Sequence, residues 1–146
     1  MHEYRVKIRR VVDGDTVDVD IDLGFGHFMM KQRIRLFGID TPESRTRDKV
    51  EKKYGNIAKE YLKARITDPE VPVKLRTHLD NKGKYGRILG EFIVTDFEGH
   101  PQFAHDVNVN EEMIKKHLGV AYHGQSKDDI AEEHIKNREL VDDTRN

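Results

Sequence analysis

Arg33-Ile34-Arg35-Leu36-Phe37-Gly38-Ile39-Asp40-Thr41-Pro42-Glu43 joins a strand to a turn within eleven residues. Its first half alternates arginine with Ile34 and Leu36, the two-residue period of a strand with one buried face. Its second half is a sharp turn carrying two carboxylates, Asp40 and Glu43. Pro42 fixes its own φ and biases Thr41 toward extended backbone, so the two carboxylates keep a set relation. Both charge signs are held together on a stiff segment, which is the composition of an active site.

Upstream, Tyr4, Val6 and Ile8 alternate with polar residues, and Val11-Val12 leads into Asp13-Gly14. Val17, Val19 and Ile21 alternate with aspartates on the return, so the first two strands form a hairpin. Residues 23–30, with Gly24 and Gly26, read as a loop or a bulged hairpin end, and residues 32–39 as the third strand. Downstream, residues 44–48 show no apolar period and read as a mobile loop. Val50, Tyr54, Ile57, Ala58, Tyr61 and Leu62 then share one helical face, and the pattern stops before Thr67-Asp68-Pro69. Val71, Val73 and Leu75 mark a fourth strand, Asp80-Asn81-Lys82-Gly83 a turn, and residues 87–95 a fifth strand. Five strands with a helix between the third and fourth is the order of an OB-fold barrel, a β-rich α+β fold. Two more helices are expected: residues 110–117, packed through Met113 and Ile114, and residues 127–141, with Ile130, Ala131, His134 and Ile135 on one side.

A chain of 146 residues fits one domain, expected here over residues 1–146, and buries a core without disulfides. The absence of cysteine excludes thiolate chemistry, sulfur-bound zinc and iron–sulfur clusters, leaving oxygen or histidine to hold any metal. The eight histidines show no ligand-like spacing. No apolar run approaches a membrane span, so no membrane partner is expected. Met1-His2-Glu3-Tyr4 lacks the basic and apolar regions of a signal peptide. The expectation is a cytoplasmic monomer, or a secreted one if an upstream signal was removed. Charged residues form 36% of the chain yet nearly cancel, at a formal −1, so positive charge for an anionic partner must be concentrated locally. Arg33, Arg35, Lys82, Lys84 and Arg87 are placed to do so.

The opening stretch, together with Asp13-Gly14-Asp15-Thr16 and Lys84-Tyr85-Gly86-Arg87, resembles the staphylococcal nuclease (thermonuclease) family. Asp-Gly-Asp-Thr alone is also an ordinary hairpin turn, and Tyr-Gly-Arg is weaker still; order and spacing together carry the likeness. It extends from about Tyr4 to about Tyr122.

The resemblance implies a sugar-nonspecific nuclease acting on DNA, RNA or both, single-stranded or locally melted, with Ca²⁺ as cofactor. Asp15, Asp40 and the carbonyl of Thr41 take the family's metal-binding roles. Glu43 takes that of the proton acceptor, and Arg35 and Arg87 those of phosphate-binding forks. Lys84, Tyr85 and Tyr122 match positions lining the nucleotide site. Two departures stand out: Gly83 where the family often has aspartate, and His123-Gly124 where a second tyrosine follows. The rival expectation is a non-catalytic nucleic-acid or protein-binding module on the same barrel, which the joint presence of Asp15, Arg35, Asp40, Glu43 and Arg87 disfavours.

Overall fold

The structure is a computed structural model that describes residues 2–78, 88–97 and 101–145. β1 (His2–Asp13) and β2 (Thr16–Gly24) pair antiparallel, with Val6 opposite Ile21 and Val11 opposite Val17. β3 (His27–Leu36) pairs with β2, placing Thr16 opposite Arg35. β5 (Val73–His78) lies on the other side of β1, and β6 (Ile88–Phe97) pairs with β5. A parallel pairing of β6 with β3, Ile34 to Ile88 and Leu36 to Gly90, closes the five-stranded barrel. Val17, Val19, Ile34, Leu36, Leu75, Phe92 and Val94 fill its interior. Gly90 leaves room for the packed interior at this seam, since a Cβ there would lie 2.5 Å from Leu75 Cδ1 and 3.3 Å from Ile34 Cγ2.

The expected OB-fold barrel is therefore present, with one correction. The third strand ends at Leu36, not Ile39: Gly38, with a φ of 77°, breaks it. Ile39–Asp40 forms a separate short strand, β4. Of the two readings of residues 23–30, the bulged hairpin end is the one present: the register is irregular between Asp22 and Gly24, and β2 and β3 are joined by a tight turn at Phe25-Gly26 with φ of 55° and 77°. Phe25 at this tip is fully exposed. The Asp80–Gly83 turn lies outside the described residues.

α1 (Lys49–Ile66) starts where Asp48 accepts hydrogen bonds from the amides of Val50 and Glu51. Tyr54, Ala58, Leu62 and Ile66 repeat every fourth residue and are buried; Val50, expected on that face, is exposed in the first turn. Arg65 forks onto Asp96 at 2.9 and 3.1 Å and reaches Glu112 at 2.8 Å, joining α1 to β6 and to α2 (Val109–Lys115). Tyr61 also donates to Glu112. β7 (Ala104–Asn108) extends the sheet beyond β6. Asn110 on α2 is fully buried, accepts from Phe92 N and donates to the carbonyls of Phe37 and Gly90. It thereby pins the break between β3 and β4.

β8 (Val120–Ala121) pairs antiparallel with β4, with Val120 opposite Asp40. α3 (Lys127–Arg145) follows. Its Val141 is buried, Tyr54 donates to Asp142 at 2.7 Å, and Asn137 donates to Gly119 O at 3.3 Å. Among the described residues no helix is long and apolar enough to cross a membrane.

Candidate active site

The turn between β1 and β2 and the turn after β4 are locked together through backbone amides. Asp15 Oδ2 accepts from Thr41 N at 3.1 Å, and Asp13 Oδ1 accepts from Ser44 N at 3.1 Å. Asp15 O accepts from Leu36 N at 2.8 Å. Gly14 permits this approach, since a Cβ there would sit 2.8 Å from both Ala58 Cβ and Thr41 Oγ1. From the other side α1 presses on the acidic turn at Gly55, where a Cβ would lie 2.4 Å from Glu43 O. The motif is thus structural: Asp13 and Asp15 both tie the turn, and both line the cleft beside it.

Arg35 sits at the centre. Its Nη1 donates to the carbonyls of Ile39 at 2.9 Å, Leu36 at 3.2 Å and Asp15 at 3.4 Å. The same guanidinium lies 3.4 Å from Asp15 Oδ2 through Nη1 and 3.4 Å from Asp40 Oδ1 through Nη2. Nη1 is therefore committed to the backbone and Nη2 reaches Asp40, which leaves Nε and the second Nη2 hydrogen for a ligand. Burial pushes the Asp15 carboxyl above its ordinary range; Arg35 and the Thr41 amide oppose this, while the charges of Asp40 and Asp13 add to it. Arg33, on the same strand face two residues earlier, is a surface residue paired with Asp18 at 2.8 Å.

Asp15, Arg35, Asp40, Thr41, Glu43 and Tyr122 line one cleft of about 1070 Å³, whose opposite wall is α3. Glu43 is exposed to it. Tyr122 is fixed by its amide, which donates to Gly38 O at 2.8 Å, while much of its side chain stays exposed. Lys84, Tyr85 and Arg87 lie outside the described residues.

Sequence reasoning missed His134. It was read as part of a packing stripe on the last helix, yet its Nε2 donates to Asp40 Oδ2 at 2.8 Å. Ile130, Ala131, Ile135 and Arg138 of the same helical face also line the cleft. The available signal was one polar ring set in an apolar stripe. Four buried side-chain atoms have no partner among the described residues, namely Thr41 Oγ1, Ser44 Oγ, His134 Nδ1 and Arg138 Nε. Three of these four residues line this cleft.

Among the described residues, no group of three or more His, Cys, Asp or Glu side chains is arranged to hold a metal ion. A cation here would rest on two carboxylates, Asp15 and Asp40, and the Thr41 carbonyl, completed by solvent or substrate oxygens. The donor set fits a hard cation, since every donor is oxygen. Burial raises Asp15, the charge of Asp40 adds to it, and a cation would offset both.

Barrel and cleft together define an OB-fold protein with an acidic centre clamped by arginine. The chain belongs to the family described as staphylococcal nuclease homologue, whose model matches residues 33–143. It is similar to the thermonuclease of Staphylococcus intermedius, at 35% identity over 82 residues, covering 56% of this chain and 44% of that protein. The thermonuclease of Staphylococcus hyicus is 34% identical over 88 residues, 60% of this chain and 47% of that one. Protein ParB of Escherichia coli is 30% identical over 128 residues, 86% of this chain and 63% of its own. The chain thus spans just under half the length of the two thermonucleases.

Proposed function

We propose that the protein is a Ca²⁺-dependent nuclease hydrolysing phosphodiester bonds of DNA, RNA or both, leaving 3′-phosphate and 5′-hydroxyl ends. One observation carries this reading: Asp15 and Asp40 converge on the guanidinium of Arg35 in a cleft that also exposes Glu43. The names of the two thermonucleases support it.

Asp15, Asp40 and the Thr41 carbonyl would hold the Ca²⁺. When bound, the cation supplies Lewis-acid stabilisation of charge on the phosphate. Glu43 takes the proton of the attacking water as the new P–O bond forms. Arg35 offers Nε and the Nη2 hydrogen not directed at Asp40 to a non-bridging oxygen, and Arg87 offers a second fork. Planar donors of this kind match phosphate in a way lysine does not. As the bond from phosphorus to the 5′ oxygen breaks, the leaving oxygen is protonated with the help of Arg87 or solvent. Tyr122, with Lys84 and Tyr85, holds the nucleotide by stacking and phosphate contact, which suits unpaired strands of either sugar.

The test is release of acid-soluble nucleotides from denatured DNA and from RNA, with Ca²⁺ and then with chelator. Release that needs Ca²⁺ and disappears in Glu43→Gln is the expected result. A folded protein that binds single strands without cutting them would replace this reading with that of a binding module.

A further inference from the structure

Asp40 lies on a strand of only two residues, and its carboxylate is about one-third exposed. A carboxylate on so short a strand needs side-chain partners to stay aimed. Two elements supply them: Arg35 Nη2 of β3 at Oδ1, 3.4 Å away, and His134 Nε2 of α3 at Oδ2, 2.8 Å away. The His134 side chain is only 12% exposed, and its Nδ1 is buried without a partner among the described residues. Within them, Asp40 is the hydrogen-bond partner of that ring.

We infer that His134 is a positioning residue for the cation site, holding Asp40 so that the carboxylate faces Asp15 and the Thr41 carbonyl. The inference rests on the cation reading above. Each carboxylate oxygen carries two lone pairs, so accepting one hydrogen bond from His134 leaves Asp40 able to ligate. Hydrogen bonds to a ligating carboxylate orient it, and their loss typically costs about 10–100-fold in metal affinity or activity. α3 does not depend on this bond for its place, since Val141, Asp142 and Asn137 anchor it independently. A variant at position 134 should therefore keep the helix docked.

The experiment is calorimetric titration of Ca²⁺ into the nucleic-acid-free full chain, for the wild type, His134→Ala and His134→Gln, with melting curves in chelator. Weakening of Ca²⁺ binding by about 10–100-fold in His134→Ala is expected. Its melting temperature in chelator should match the wild type, and His134→Gln, which keeps an N–H donor, should recover most of the affinity. Equal affinities in all three would overturn the inference alone. Tighter binding in His134→Ala would also overturn it, by making the ring a competitor for the carboxylate. Absence of Ca²⁺ binding by the wild type would overturn the cation reading and this inference with it.

Discussion

The two walls of the cleft are built on opposite plans. On the barrel wall the central charged groups are tied down, although Glu43 is exposed: Arg35 meets three carbonyls and two carboxylates, and Asp15 accepts from Thr41 N and Thr16 Oγ1. The helix wall is loosely furnished, with Ile135 56% exposed and Arg138 Nε buried without a partner among the described residues. Strand pairing and short turns aim the first wall, whereas α3 is fastened mainly near its C-terminal end. Preorganised electrostatics belongs on the tied wall, where no reorganisation is needed during reaction. The open wall is suited to setting how wide a ligand the cleft admits.

The largest expected difference comes from Glu43→Gln, which should lower kcat by about 10²–10⁴-fold with an unchanged circular dichroism spectrum and melting temperature. Near-normal turnover would move the proton acceptor off the barrel wall. Arg35→Lys should lower both rate and stability, because a compact ammonium cannot reproduce the planar fork that meets the three carbonyls through one nitrogen and Asp40 through another. Losing charged hydrogen bonds at a site only 18% exposed should cost about 1.5–3 kcal/mol in urea unfolding. An unchanged urea midpoint would show that the wall holds itself without the clamp.

Gly55→Ala sharpens the contrast through sterics. Alanine gains about 1 kcal/mol of helix propensity, but its Cβ would strike Glu43 O at 2.4 Å. Overpacking of this kind costs about 1–3 kcal/mol, so a net loss in urea unfolding, with reduced turnover, is expected. A gain in stability would mean that the acidic turn yields to α1.

Acid should separate the regions by sign. Hydrogen bonds from Arg65 hold Asp96, and those from Arg33 hold Asp18, below the ordinary carboxylate range. A carboxyl with a lowered folded value contributes stability above its unfolded value and loses it as pH falls through the folded one. Asp15, raised by burial, works the other way: protonation favours the fold as pH falls through its elevated value. Urea midpoints should therefore fall below about pH 4. Asp96→Asn should flatten that fall, whereas Asp15→Asn should remove the gain in stability that comes above about pH 4 as Asp15 takes up its proton. The smallest effect belongs to Ile135→Ser on the open wall, expected within about 0.5 kcal/mol of wild-type stability, with its consequence confined to KM for single strands. A large destabilisation would mean that the open wall is core.

The barrel was legible because its signals are local. Alternation in residues 16–21 and 33–36, and the fourfold repeat of Tyr54, Ala58 and Leu62, each follow from neighbours in sequence. Asp15, Arg35, Asp40 and Glu43 were picked out by the family resemblance of the motifs those turns and strands carry, and the fold brings them to one cleft. The division of β3 from β4 was obscured by Ile39, a β-branched residue that prolongs the apolar run although it falls out of phase with Ile34 and Leu36; Asn110, far along the chain, fixes the break at Phe37. His134 stayed hidden for a related reason. It lies 94 residues from Asp40, and no periodicity records a partner at that distance. The anchoring roles of Asp13 and Gly55 likewise arise only where the two turns and α1 meet.

The short pairing of β4 with β8 also gives the site a place in time. A growing chain has made every barrel strand once Phe97 is added, while Val120 and Ala121 are still to come. A chain ending at Phe97 would lack Asp40's strand partner, its helix partner, and the core residues Val109, Met113 and Val141. Because a domain folds as a unit, the acidic centre is finished only when the last helix has been made.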